Sequence, residues 1–413
     1  MNKIYKIYKM EVIKVNREDF PMLQQDIIYF DNGATTLKPK SVIDSISDYY
    51  SNYSSNAHRG DYTISIKASK AFEDVREKAR KFINAKDVRE IVFTSGATES
   101  LNMVAKGYVK NILKPEDEVL ITKSEHASNV LPWFELENEI GIKVNYIPLS
   151  DKHTVTIDNV INSITDKTKV ISIAQVTNVI GDLRPLKQIA EYAHKKGIIL
   201  VVDAAQSIGH TNIDVQDFDI DFLAFSAHKM MGPTGIGVLY GKYELLDQIK
   251  PIKMGGGMNI EFPSPKEIEL KELPYKLEAG TQNIAGVIGF GKAIDYINDI
   301  GVDNIEEYIM DLKEYAVNKL KSIKGIKIYN EEVEGPTVTF NIDGIFSQDV
   351  AIYLDKYNIC VRSGTHCAKK LDDELGIKNT VRASFYLYNT KEEIDKLVDA
   401  LSSNKILEES IGV

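Results

Sequence analysis

From about residue 90 onward, short apolar runs alternate with longer stretches of helical spacing, and this alternation sets the first expectation for the fold. The runs EIVFTSG, DEVLITKS, KVNYIPL, KVISIAQ and IILVVDAAQ are short and rich in β-branched residues, so each predicts a strand. Between the last two, PLKQIAEYAHKKG opens on Pro185 and sets Leu186, Ile189 and Ala190 on one face. It ends in basic residues ahead of Gly197, which completes the start and stop signals of a crossover helix. Strand and helix repeating in this way predict a mainly parallel α/β sheet. After about residue 285 the texture changes. Long amphipathic segments, VDNIEEYIMDLKEYAVNKLKSI and TKEEIDKLVDALSS, surround the short strands PTVTFNI and TVRASFYLY and predict a smaller α+β unit.

Polar residues gather just past the carboxyl ends of the predicted strands: Thr98, His126, Asn178, Asp203 and Lys229. In open α/β sheets the ligand crevice lies there. In EIVFTSGATESLNMVAKGYV a strand runs through Ser95 and Gly96 into a helix starting near Thr98, and the free N–H groups of such a helix start suit a phosphate. Alone, the same residues are equally a capping threonine and a tight-turn glycine. Asp203 follows five consecutive apolar residues, so its carboxylate needs a partner to stay charged; alone, a helix cap is the commoner outcome. Ser226, His228 and Lys229 lie between an apolar strand and a glycine-rich return, where a lysine suits a covalent bond to a carbonyl or a phosphate contact. An isolated loop lysine is more often solvated. Taken together, these parts fit pyridoxal phosphate: Thr98 and Ser226 for the phosphate, Asp203 for the pyridine nitrogen, Lys229 for the aldehyde. The stretches GPTGIG and MGGGM match neither nucleotide-binding spacing and are read as tight turns.

Composition narrows the setting. With 43% hydrophobic and 27% charged residues the chain is an ordinary globular one, and at 413 residues it exceeds what a single core supports. A net charge of −10 excludes a general attraction to nucleic acid or anionic membranes. No apolar run approaches the roughly 18 residues that span a bilayer, and MNKIYKIYKMEVIKVNRE lacks the apolar core of a secretory signal, so a cytoplasmic protein is expected, with Met1 or Met10 as its start. Cys360 and Cys367 are seven positions apart, which fits neither a zinc ligand pair nor a disulfide framework; no metal is expected. Cys367 lies in VRSGTHCAKK, a polar, loop-like setting in which Arg362, Gly364 and His366 argue against burial. Cys360, at an apparent strand end, suits packing.

The segments DNGATT, SGATES, SEHASN, QVTNVIGDLRP, VVDAAQS, FSAHKMMGPTGIGVLYG, EAGTQN and RSGTHCA occur in an order that resembles the class V aminotransferase-fold cysteine desulfurases, particularly the Suf type. The resemblance runs from about residue 20 to about residue 400. It implies the fold type I of pyridoxal-phosphate transferases: an N-terminal segment, 1–28, near the small domain; a large cofactor-binding domain, 29–284, with a mainly parallel central sheet; and a small α+β domain, 285–413, carrying the cysteine loop. Residue by residue, it implies that Lys229 is the covalent cofactor anchor, Asp203 pairs with the pyridinium nitrogen, Gln206 approaches the phenolic oxygen and His126 stacks on the ring. Thr98, Ser226 and His228 hold the phosphate, joined by Thr281 from the second subunit of a homodimer. Arg382 takes the substrate carboxylate, Asn178 lies between cofactor and substrate, and His58 and Arg362 occupy further active-site positions. The implied reaction converts L-cysteine to L-alanine and passes sulfur, as a persulfide on Cys367, to an acceptor protein, with iron–sulfur cluster assembly as its destination. Selenocysteine lyase and ordinary aminotransferase activity are the enzymatic alternatives, and a non-enzymatic sulfur-handling scaffold is the third. Thr365 replaces the first histidine of the usual R-x-G-H-H-C-A, and KKLDDELG stands where a Gln-Pro pair is frequent.

Overall fold

The computed structural model describes residues 15–402; the two candidate starts and the basic first residues lie outside them. A seven-stranded sheet forms the centre of the chain. Its strands are β1 (Ile91–Thr94), β2 (Glu118–Thr122), β3 (Lys143–Ile147), β4 (Thr168–Ala174), β5 (Ile199–Asp203), β6 (Phe222–Ser226) and β7 (Gly237–Gly241). They lie in the order β1-β7-β6-β5-β4-β2-β3, and only β7 runs antiparallel to its neighbours. The five expected strands are all present, and the sheet is mainly parallel as the alternation predicted. Hydrophobic clusters cover both faces, which is why the central strands read as continuous apolar runs.

Helix α1 (Lys40–Asn52), α2 (Thr63–Phe82) and α5 (Ile284–Ile300) pack together on one face. The crossover α4 (Leu186–Lys195) buries Leu186, Ile189, Ala190 and Ala193 and joins β4 to β5. Helix α3 (Ala97–Asn102) leaves the end of β1 and continues as a π-helical and then α-helical run to Ile112. A second, four-stranded antiparallel sheet is built from β8 (Ile326–Ile328), β9 (Thr337–Ile342), β10 (Arg362–Gly364) and β11 (Thr380–Ser384), in the order β8-β9-β11-β10. Helix α6 (Val302–Leu320) packs beside it, and helix α8 (Lys391–Ser402) packs on α6. Segment 17–30 lies against the same C-terminal elements: Arg17 pairs with Glu393, Phe20 packs on Tyr388, and Ile28–Tyr29 pairs with Ile359–Cys360.

Part of the glycine-rich return is strand rather than turn. Gly235, at φ 73, makes the turn, but Gly237 opens β7. A Cβ on Gly237 would lie 2.5 Å from the Gly96 Cα and 2.5 Å from the Phe225 carbonyl oxygen, so glycine is what lets the start of α3 close on β6 and β7. VRSGTHCAKK also differs from the loop expected. Arg362–Gly364 is strand, Lys369 begins helix α7 (Lys369–Leu375), and only the four residues 365–368 lie between.

Candidate active site

Six strands of the large sheet run the same way, and the side chains just beyond five of them line a cavity of about 250 Å³. Thr98 enters it from α3, His126 and Ser128 from the loop after β2, Asn178 from the loop after β4, and Asp203, Ala205 and Gln206 from the end of β5. Ser226, His228 and Lys229 come from the end of β6 and the short turn that follows. The opposite wall is made by Gly33 and Ala34 and by three residues of the small-sheet unit, Arg362, Cys367 and Arg382. Eleven of the candidate residues therefore meet in one place: Thr98, His126, Asn178, Asp203, Gln206, Ser226, His228, Lys229, Arg362, Cys367 and Arg382.

His58 and Thr281 are not among them. His58 is exposed, bonds Glu73 at 3.0 Å and lines a second concavity with Asn56, Arg59 and Tyr275. Thr281 lies at the margin of that concavity, where Asn56 Nδ2 donates to its hydroxyl at 3.2 Å.

Burial shapes the titration of the cavity groups. It lowers Lys229 to about 8, with Asp203 opposing and Arg382 and Arg362 reinforcing the shift. It raises Asp203 to about 6, partly offset by the Ala205 N–H, which donates to the carboxylate at 2.9 Å, and by Lys229. His126 falls to about 4, first through burial and then through Lys229, Arg362 and Arg382. Its Nδ1 accepts the Ser128 N–H at 3.1 Å, which leaves the proton of the neutral ring on Nε2. Burial, Lys229 and Lys38 bring His228 to about 4.

The small-sheet wall is cationic. Strand register sets Arg362 directly across from Arg382, a like-charge pair that is unfavourable unless an anion lies beside it. Arg382 is fully buried; Nη1 donates to the Asn178 carbonyl at 2.7 Å and Nη2 pairs with Asp31 at 3.2 Å. Among the described residues its Nε has no partner, and neither has the Asn178 Oδ1. Arg362 Nη2 lies 3.9 Å from the Cys367 sulfur, and that thiol is exposed. His366, in contrast, is buried and turned away, with Nε2 on the Thr380 hydroxyl at 3.0 Å, so it does not mark an open loop as expected from sequence.

The donor set fits pyridoxal phosphate. A buried lysine and carboxylate, a neutral stackable imidazole, two unpartnered polar atoms, and the hydroxyls of Thr98, Ser226 and Ser128 beside the start of α3 supply every contact class the group needs. Sequence reasoning missed Asp31, Gly33 and Ser128. DNGATT carried the signal for the first two, but their partners, Arg382 for Asp31 and Ser384 for Gly33, are far away in the chain.

Histidines held neutral by burial are expected to make the fold acid-labile. His126, His210 and His228 lie at about 4 and His366 at about 3, against 6.5 when unfolded, so below 6.5 the unfolded chain binds more protons and stability falls with pH. Asp203 and Asp372, both raised to about 6, act oppositely and offset part of the loss. The urea midpoint is expected to drop between about pH 6.5 and pH 4.5; a midpoint that is flat or rising on acidification contradicts this.

The family model "Aminotransferase class-V" matches residues 28–397. A relative from Halalkalibacterium halodurans named "Probable cysteine desulfurase" is 46% identical over 391 residues, covering 94% of this chain and 96% of its own. The solved apo structure of a cysteine desulfurase from Thermococcus onnurineus superposes with a TM-score of 0.91 at 38% identity, over 98% of this chain and 100% of that one. That of the Escherichia coli cysteine desulfurase CsdA, in an S-sulfonic acid form, gives 0.89 at 38%, over 95% and 98%. With the match extending along nearly the whole chain, through both sheets and every wall of the cavity, the protein belongs to the class-V aminotransferase family.

Proposed function

We propose that the protein is a pyridoxal-phosphate-dependent cysteine desulfurase, which converts L-cysteine to L-alanine and hands on the sulfur from Cys367. One observation carries the reading: an exposed thiol from the small-sheet unit opens into the cavity that holds Lys229 and Asp203. When bound, the cofactor supplies an electron sink that makes the α-proton of an amino acid removable. Lys229 would anchor it, Asp203 would pair with its ring nitrogen, and Gln206 and His126 would serve its phenolic oxygen and its ring. Thr98, Ser226 and His228 would hold its phosphate.

The chain's own residues do the rest. Arg382, with Arg362 across the strand pair and an unpartnered Nε, receives the substrate carboxylate. Asn178 holds the small-sheet unit to the crevice by donating to the His366 carbonyl at 2.6 Å. Lys229 Nζ, titrating at about 8, can hold or release a proton near neutral pH and serves as the shuttle at the α-carbon. The Cys367 thiolate forms a bond to the substrate sulfur as the substrate's carbon–sulfur bond breaks. The bonding pair stays on carbon, which takes a proton and leaves as alanine, and Cys367 is left as a persulfide for a thiol acceptor.

The working unit in this reading is a cytoplasmic homodimer in which Thr281 reaches the partner's site. The second concavity, holding His58, is part of that contact. Tyr62, Ile64, Ile66, Phe262 and Ile268 are exposed on the single chain, on segments adjoining that concavity. Among the described residues no helix is long and apolar enough to cross a membrane. Sedimentation at twice the chain mass checks the dimer. The function is tested by the visible spectrum of the purified protein, followed by addition of L-cysteine and assay for alanine and for a persulfide on Cys367. A colourless sample that releases no alanine sinks the proposal.

A further inference from the structure

Lys229 follows a strand of the large sheet, Arg382 lies on a strand of the small one, and segment 31–38 joins them. At one end Asp31 pairs with Arg382 and the Gly33 N–H donates to the Ser384 hydroxyl at 2.8 Å. At the other end four donors converge on a single atom, the carbonyl oxygen of His228, in the peptide that leads into Lys229. They are the Thr36 N–H at 3.0 Å, the hydroxyls of Thr35 and Thr36 at 3.1 Å each, and Lys38 Nζ at 3.3 Å. Lys38 also donates to the Thr35 hydroxyl at 2.8 Å and to the Thr36 carbonyl.

Such convergence is more than a three-residue turn requires. Residues 227–229 leave β6 as a single 3₁₀ turn, and Met231 just beyond adopts a left-handed conformation at φ 63, its N–H donating to the Thr36 hydroxyl at 2.7 Å. The turn carrying Lys229 thus holds its shape through contacts supplied by segment 35–38. Lys38 is the one cation in that set, and among the described residues it has no carboxylate partner. Its charge is instead directed at backbone and hydroxyl oxygens around the Lys229 turn.

We propose that Lys38 is a positioning residue: with Thr35 and Thr36 it clamps the His228 carbonyl, and so fixes the Lys229 amine relative to the Arg382 guanidinium across the cavity. The same cation acts on the His228 ring, which burial and the charges of Lys229 and Lys38 keep neutral. The inference rests on the reading of Lys229 as the cofactor anchor.

The test compares Lys38→Met, which keeps the aliphatic stem, with Lys38→Arg. In the loaded enzyme Lys38→Met is expected to lower kcat for L-cysteine by about 10- to 100-fold, with KM changed by less than about 3-fold, because the carboxylate contact at Arg382 is untouched. Lys38→Arg is expected to recover most of kcat. In cofactor-free protein, the His228 ring, followed by NMR, is expected to titrate at higher pH in Lys38→Met than in wild type, and not in Lys38→Arg. Unchanged kcat and unchanged His228 titration in Lys38→Met overturn the proposal, as does a loss confined to KM. A wild-type protein that neither binds the cofactor nor turns over cysteine defeats the parent reading instead, while the His228 titration still reports on the clamp.

Discussion

Replacing Cys367 with serine is expected to stop sulfur release from L-cysteine, by about 10³-fold or more, while Cys360→Ser keeps turnover within about 2-fold of wild type. The two thiols differ in exposure and in what surrounds them. Cys367 is exposed, lines the cavity and has Arg362 3.9 Å from its sulfur. Cys360 is partly buried in a two-residue strand paired with Ile28–Tyr29, and burial and nearby Asp355 and Asp31 push its thiol up, away from the reactive thiolate. A serine hydroxyl matches the shape of the Cys367 side chain but gives almost no anion near neutral pH, so the variant separates nucleophilicity from packing.

The backbone is arranged for this thiol. His366 at φ 50 and Cys367 at φ 58 are consecutive non-glycine residues in the left-handed region, each costing on the order of 1 kcal/mol, and they persist because the surroundings hold them. Asn178 grips the His366 carbonyl and the Ala127 N–H donates to the Cys367 carbonyl at 2.8 Å, both from loops of the large sheet. Alanine and sulfide, assayed with a thiol reductant, read out the prediction. Equal loss in both cysteine variants, or retained turnover in Cys367→Ser, rejects the assignment.

What could be read from the sequence follows from where each residue's partners lie. Strands β1, β2, β4 and β5 announced themselves because burial on both faces leaves an apolar run with nothing else to explain it, whereas the edge strand β3, KVNYI, shows apolar and polar positions in alternation. Thr98, Asp203 and Lys229 were legible only as a set: each alone is as well a cap, a turn residue or a solvated lysine, but together, past successive strand ends of one sheet, they supply the contacts of one cofactor. The pairing of Arg362 with Arg382 was not, since it depends on the register of β10 against β11 and on no local pattern. Lys38 reads as an ordinary lysine until the turn at His228 is brought beside it. His366 is a similar case: its polarity suggested an open loop, yet Thr380, 14 residues on, supplies a buried partner.

Arg184→Met is expected to destabilise the fold by about 3–5 kcal/mol, because it strands a buried carboxylate. Arg184 and Glu125 are both fully inaccessible and form an ion pair beneath the cavity. Arg184 also donates to the hydroxyls of Thr122 at 2.9 Å and Ser124 at 2.7 Å, and Glu125 accepts from the Ala174 N–H and the Asn129 amide at 2.8 Å each. The network therefore ties the end of β2 to the end of β4. His126 follows Glu125 directly, and Asn178 lies in the loop that closes on Arg184 through its N–H to the Gln175 carbonyl at 3.0 Å. Loss of the guanidinium leaves Glu125 and Asp182 without their shared cation and removes a donor from two buried hydroxyls. Adding Glu125→Gln removes one stranded charge, so the double variant is expected to recover part of the loss, a coupling that a double-mutant cycle measures. Urea denaturation of the four proteins reads the energies, and cofactor affinity reads the displacement of His126. If Arg184→Met costs no more than the roughly 0.5 kcal/mol of a surface substitution, the pair does not hold the crevice together. If the cost is large but the double variant recovers none of it, the loss lies in the hydroxyl donors and not in the stranded charge.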